Sequence, residues 1–228
     1  ERFRVALNLG GIANLTILCP RVERNAVTGW DVGPGNMLLD EFVRCKTSGT
    51  ETMDVDGAYA QRGRVDAAVL EPLLEDPYFA RQPPKSTGRE YFGRTFLQKY
   101  APLFEMISLE DGCATLVALT VEAVARAVAS EGAGGDLVVS GGGVHNRALM
   151  SALQERLPLF DVGTSARFGI DPEFKEAQAF IVLGYELLRE RPAGLPAVTG
   201  AKHSALLGAI APRDLTALLL RVREELDP

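Results

Sequence analysis

The sequence predicts an α/β domain: a mixed β-sheet flanked by helices, with three antiparallel strands first and two parallel strands later. Three observations carry this reading. Residues 2–18 form two strand-like stretches joined across Gly10-Gly11, and a third stretch ends at Asp31. Asp136-Leu-Val-Val-Ser is a short buried strand that runs through Gly141-Gly142-Gly143 into a helix. A further strand is expected at residues 159–163, after that helix, as in a parallel crossover.

Composition narrows the function. A chain of 228 residues, 46% of them hydrophobic, can bury a substantial core. A net charge of -6 argues against a role in nonspecific nucleic-acid binding, which needs clustered Lys and Arg. Cys19, Cys45 and Cys113 are far apart and form no zinc-like spacing, so a reducing compartment suits them better than a disulfide framework. With His145 and His203 as the two histidines, a multi-histidine metal site is not expected. Neither a signal peptide nor a membrane span is read, because the apolar run from Thr115 to Ala129 is broken by Glu122 and Arg126. The chain starts at Glu1 without a Met and enters a strand at once, which reads as a cut into a larger protein.

The elements follow in order. Gly10-Gly11 allows positive φ and close approach of backbone N–H groups to a ligand, with Asn8 and Asn14 flanking as donors. It serves equally as an ordinary hairpin turn. After a polar turn at 21–25, a strand over 26–31 ends in Asp31-Val-Gly-Pro-Gly-Asn36. An Asp at a strand's carboxyl end can act as a general base or approach a metal; its common alternative is bonding to the following turn. Asn36 is expected to cap an amphipathic helix carrying Met37, Leu38, Phe42 and Val43. Two short helices are expected between Asp56 and Asp76, the second turning Ala68, Val69, Leu73 and Leu74 inward.

Arg81-Gln-Pro-Pro-Lys-Ser-Thr-Gly-Arg89 is held extended by its prolines and offers Lys85, Ser86, Thr87 and Arg89 as donors, for an anionic ligand or simply for solvent. A helix is predicted from Tyr91 to Tyr100. A long one from Leu109 to Ser130 follows, with Cys113, Leu116, Val117, Val121, Val124 and Val128 toward the core. Gly141 and Gly143 fit the start of a dinucleotide fingerprint with Asp161 downstream, but Asn146 stands at the third glycine position. His145 has no evident carboxylate partner. Asp171-Pro172 is expected to start a helix reaching about Arg189, with Glu176 on its early turns, and Pro196–Ala201 reads as a loop. A last amphipathic helix is expected over 212–226.

Six stretches occur together: residues 7–16 (LNLGGIANLT), 30–40 (WDVGPGNMLLD), 84–92 (PKSTGREYF), 140–146 (SGGGVHN), 175–180 (KEAQAF) and 195–201 (LPAVTGA). Taken in order, they resemble the anhydro-N-acetylmuramic acid kinases of the sugar kinase/actin/heat-shock ATPase superfamily, over nearly the whole chain. The resemblance implies a ribonuclease-H-like mixed sheet with a helical insertion at about 49–101. It implies that residues 1–228 are the second, C-terminal lobe of a two-lobe kinase, the first lobe being absent from the chain.

It also implies a reaction: ATP-dependent hydrolytic opening of 1,6-anhydro-N-acetylmuramic acid and phosphorylation of its 6-oxygen, giving N-acetylmuramic acid 6-phosphate. This is a phosphotransferase step of cytoplasmic peptidoglycan recycling and amino-sugar metabolism. ATP and Mg²⁺ are the implied cofactors, the anhydrosugar and the first lobe the implied partners, with pairing into a homodimer open. By the same resemblance, Asp31 matches the base that activates water. Gly10, Gly11 and Asn14 match a phosphate loop, and Gly141, Gly142, Gly143 and Asn146 match the adenosine motif. Glu176 matches a sugar-contacting position. Val32 stands where the pattern has Thr. The contrasting reading is a nucleotide-binding interaction module of the actin or chaperone kind, without sugar turnover; Asp31 separates the two, because an ATP switch has no use for a water-activating base.

Overall fold

A computed structural model describes residues 2–18, 27–129, 134–211 and 213–226. The chain divides into two compact units, one ending at Lys175 and the other starting at Glu176. The first unit holds the sheet: β1 (Arg4–Leu9), β2 (Ile12–Leu18), β3 (Thr28–Pro34), β4 (Gly135–Ser140) and β5 (Phe160–Thr164). Their order is β3-β2-β1-β4-β5, with β1–β2 and β2–β3 antiparallel and β1–β4 and β4–β5 parallel. This is the predicted ribonuclease-H-like arrangement. The turn at residues 21–25 lies outside the described residues, as do Cys19 and Ala26.

The alternation of side chains explains the sheet's two faces. Val5, Leu7, Leu9, Leu15, Ile17, Leu137 and Val139 are buried on one face. Their neighbours Ala6, Asn8, Asn14, Thr16 and Val138 are half-buried on the other. The first unit's helices are α1 (Asn36–Lys46), α2 (Ala58–Arg62), α3 (Ala67–Leu74), α4 (Pro77–Ala80), α5 (Arg94–Lys99), α6 (Ala101–Phe104), α7 (Leu109–Ala129) and α8 (Arg147–Arg156). The central helix α7 buries Cys113, Leu116, Val117, Val121, Val124 and Val128, as the sequence predicts. It packs against α1, α2, α3, α8 and β3. Among the described residues, α7 alone is long and apolar enough to cross a membrane, and 72% of its most apolar window is buried inside the protein. Burial also pushes the Cys113 thiol up to about 12, so it remains protonated packing material.

Several local expectations are corrected. Asn36 is the first residue of α1 and does not cap it; Gly35 is the N-cap, with no side-chain bond. Carbonyls of the β1–β2 turn do the capping: Gly35 N and Met37 N donate to Gly11 O at 3.0 and 3.1 Å, and Asn36 N donates to Gly10 O at 2.9 Å. A Cβ on Gly35 would collide with the Gly10 carbonyl, so glycine is required there for close approach. Neither Gly10 nor Gly11 has positive φ.

In the insertion, Ala68 is exposed and Leu74 half-buried, while Val69 and Leu73 are buried as expected. The helix expected from Tyr91 starts at Arg94.

The second unit carries most of α9 (Lys175–Leu188), α10 (Pro196–Thr199) and α11 (Leu215–Leu226). Helix α9 starts four residues after Asp171. That carboxylate accepts from Glu173 N at 2.8 Å and Phe174 N at 3.4 Å, closing a separate turn. The expected loop at 196–201 contains the short helix α10, and Pro212 lies outside the described residues.

Candidate active site

Asp31 sits on β3, an edge strand of the sheet. A register shift near Ala13/Asn14 pairs Ala13 with Gly33 and Asn14 with Asp31, so Val32 is the extra residue of a bulge. Bulges re-aim side chains at functional edges. Val32 is 2% exposed, so the position where the family pattern has Thr is a core position here.

The carboxylate of Asp31 does not bond to the turn that follows it. Its Oδ2 accepts from Ser86 Oγ and from Thr87 N, each at 2.9 Å. The same stretch pairs with the strand's backbone, Asp31 N donating to Lys85 O at 3.1 Å. Tyr78 Oη donates to Asp31 O at 2.8 Å. Burial, with the nearby Asp31 charge adding to it, raises the Tyr78 hydroxyl far above its ordinary range and keeps it a donor.

Tyr78 is anchored in turn by Asp76, which is 1% exposed. The Asp76 carboxylate accepts from Tyr78 N (2.9 Å), Tyr91 Oη (2.6 Å), Lys99 Nζ (2.6 Å) and Tyr100 Oη (3.0 Å). Burial pushes this carboxyl up, but the bonds from Lys99, Tyr91, Tyr78 and Tyr100 together outweigh it and hold it below its ordinary value.

A polar row leads across the sheet from Asp31. Register places Asp31 beside Asn14, Asn14 beside Asn8, and Asn8 beside Ser140, crossing β3, β2, β1 and β4. Lys175 Nζ donates to Asn8 Oδ1 at 2.6 Å and to Ser140 Oγ at 3.1 Å. The row sets a carboxylate on β3, with an ammonium bonded to the residues on β1 and β4.

Both glycine loops open onto one cleft of about 700 Å³. Gly10, Gly11 and Gly142 line it, with Asn36, Asp40, Arg89 and Arg94 among the other wall residues. Gly141 has φ +85°, and a Cβ there would lie 2.8 Å from both Asn8 Oδ1 and Leu9 O. A Cβ on Gly143 would lie 2.5 Å from Leu9 Cβ, whereas Gly142 has nothing within 4 Å. Asn146 is buried and caps α8, its Oδ1 accepting from Leu149 N at 3.0 Å.

Asp161, weighed as a ribose-binding acid, is paired with Arg167 Nη1 at 2.8 Å. His145 does have a carboxylate partner, Glu173 Oε1 at 2.8 Å from Nε2, with both side chains exposed. Glu176 is the second residue of α9 and belongs to the second unit.

Sequence reasoning missed Tyr78, Asp40, Arg94 and Lys175. For Asp40 a signal existed: Asn36 and Asp40 are four apart, so they share one face of α1. Burial pushes the Asp40 carboxyl up to about 6, with Arg44 opposing and Asp54 adding. Among the described residues no cluster of three His, Cys, Asp or Glu could hold a metal by itself.

A family model described as anhydro-N-acetylmuramic acid kinase matches residues 1–213. Curated relatives carry that name. The Streptomyces coelicolor protein is 44% identical over 207 residues, covering 91% of this chain and 52% of the relative. The Xanthomonas axonopodis pv. citri protein is 47% identical over 210 residues, covering 92% and 54%. The chain thus spans about half the length of the curated relatives it matches. Among solved structures, the activator of the 2-hydroxyisocaproyl-CoA dehydratase from Clostridium difficile with bound ADPNP matches with a TM-score of 0.45 at 14% identity, covering 76% of this chain and 56% of that one.

Proposed function

The chain belongs to the anhydro-N-acetylmuramic acid kinase family, and from that premise we propose that it supplies the second, C-terminal lobe of an ATP-dependent kinase acting on 1,6-anhydro-N-acetylmuramic acid. The observation that carries this is Asp31. Its carboxylate is held by a segment 55 residues away in sequence rather than by its own turn, at the end of a polar row that crosses the sheet.

Asp31 takes a proton from water, and the water oxygen bonds to the anomeric carbon. The bond from that carbon to the bridging 6-oxygen breaks, its electron pair staying on oxygen. The freed 6-oxygen attacks the γ-phosphorus of ATP, and ADP leaves. Water is a weak nucleophile, so a positioned carboxylate is the group this step needs. Gly10, Gly11 and Asn14 face the phosphates, and Gly141 to Gly143 with Asn146 form the nucleoside slot. Glu176 contacts the sugar. Mg²⁺, when bound with ATP, would offset charge on the phosphates, and Asp40 and Glu41 are the cleft carboxylates that would share it. The complementary lobe comes from sequence beyond these residues, and the reaction belongs to cytoplasmic peptidoglycan recycling.

The test is turnover in ¹⁸O-labelled water by the longer polypeptide, wild type against Asp31→Asn. The expected product carries label at the C1 hydroxyl and phosphate at the 6-position, and the variant loses both while still binding ATP. Binding of ATP without sugar turnover in either protein would instead favour the interaction-module reading.

A further inference from the structure

A carboxylate has two oxygens, and a general base accepts its proton on one of them. In Asp31 both side-chain bonds fall on the same oxygen, Oδ2, from Ser86 Oγ and Thr87 N at 2.9 Å each. Two donors on one oxygen fix the carboxylate's rotation and occupy that oxygen's lone pairs. Among the described residues, no hydrogen bond reaches Oδ1.

We propose that Ser86 is a positioning residue: together with the Thr87 amide it holds Oδ2 so that Oδ1 is the atom that takes the proton from water. The inference rests on the kinase reading above. In the same step, the water's O–H bond breaks, the proton passes to Oδ1, and the remaining oxygen bonds to the anomeric carbon as the bridge bond opens.

The hold on Asp31 extends beyond one contact. Its backbone N, its backbone O and its Oδ2 are each bound, by Lys85 O, Tyr78 Oη and the Ser86–Thr87 pair. Lys85 Nζ donates to Tyr78 O at 3.3 Å and lies 4.8 Å from that ring's centre, tying the two grips together. The partners lie 47 to 56 residues away in sequence. A residue that merely closes its own Gly-Pro-Gly turn has no need of them. Arg89, two residues beyond Thr87, lines the cleft with Gly10 and Gly11, so the segment that holds the base also borders the glycine loops.

Two measurements test the proposal, and one is independent of turnover. In the 228-residue chain, the Thr87 amide proton is followed by NMR during acid titration. Its resonance is expected to move as its acceptor is protonated, and Asp31→Asn is expected to abolish that response. A resonance indifferent to both would overturn the clamp. In the longer enzyme, Ser86→Ala is expected to lower kcat about tenfold, the effect of one well-placed hydrogen bond, with KM for sugar and ATP within about twofold. Ser86→Thr, which restores the hydroxyl, is expected to recover most of the rate. Unchanged kcat in Ser86→Ala, or a loss confined to KM, would overturn the positioning role. A wild-type enzyme that binds ATP but never opens the sugar would overturn the kinase reading and the role of Oδ1 with it, while the Thr87 resonance would still decide whether the clamp exists.

Discussion

The cleft wall carries two carboxyls, Asp40 and Glu41, and burial shifts that of Asp40. Asp40 has a carboxyl pushed up to about 6 by burial, against an ordinary value of 3.8. Below that pH it is neutral; above it a negative charge joins a wall that also holds Glu41, Arg44, Arg89 and Arg94. On the kinase reading, a triphosphate without metal meets a repulsion that grows as pH rises through about 6, and Mg²⁺ bound with it would offset that charge. Calorimetric titration with ATP in EDTA is therefore expected to show wild type losing affinity relative to Asp40→Asn between pH 5 and 8. Mg²⁺ should close the gap. Identical metal-free profiles would remove Asp40 from the function of the cleft. Stability follows the same sign. A carboxyl raised in the folded state contributes fully below 3.8 and loses that contribution as pH rises through about 6. Asp40→Asn should therefore be the more stable protein at pH 7, the two converging below about pH 4.

The triglycine loop separates packing from binding within three residues. Gly143 is buried against Leu9, so Gly143→Ala is expected to cost about 1–3 kcal/mol in urea unfolding, the usual range for overpacking. Gly142 is exposed and open, so Gly142→Ala should unfold within about 0.5 kcal/mol of wild type. Because Gly142 lines the cleft, the same substitution should weaken nucleotide binding severalfold; unaltered affinity would take the loop out of the nucleotide slot. Such local features are legible in the sequence: glycines after a strand and the apolar spacing of α7. What could not be read depends on partners far along the chain. Asn36 looks like a cap, yet Gly10 and Gly11 carbonyls already satisfy the start of α1. Asp171-Pro172 looks like the start of a helix, but Pro172 O accepts from Gly141 N at 3.2 Å and the turn closes on itself before α9. Asp31 and the glycines stand out as motifs, whereas the grip of Tyr78, Ser86 and Thr87 on Asp31 exists only once the insertion folds back onto β3.

At the scale of the whole molecule, the proposed lobe division decides how much of the proposed reaction this chain performs alone. The relatives are about twice as long as the aligned region. On the lobe reading, this chain holds the base, one phosphate loop and the nucleoside slot, and the other phosphate loop belongs to the complementary lobe. Charge on a transferring phosphoryl group is met from several sides in such reactions, and catalysis there is almost entirely positioning and electrostatics. Losing half of the grip therefore weakens ATP binding and removes turnover more completely still, because the attacking oxygen and the γ-phosphorus are no longer aligned. The 228-residue chain alone is expected to bind ATP at least about tenfold more weakly than the longer polypeptide and to release no sugar phosphate. Supplying the complementary half of a curated relative, fused or in trans, is expected to restore turnover that Asp31→Asn abolishes. Turnover by the isolated chain at the rate of the longer protein would refute the two-lobe division and place every group the reaction needs within these residues.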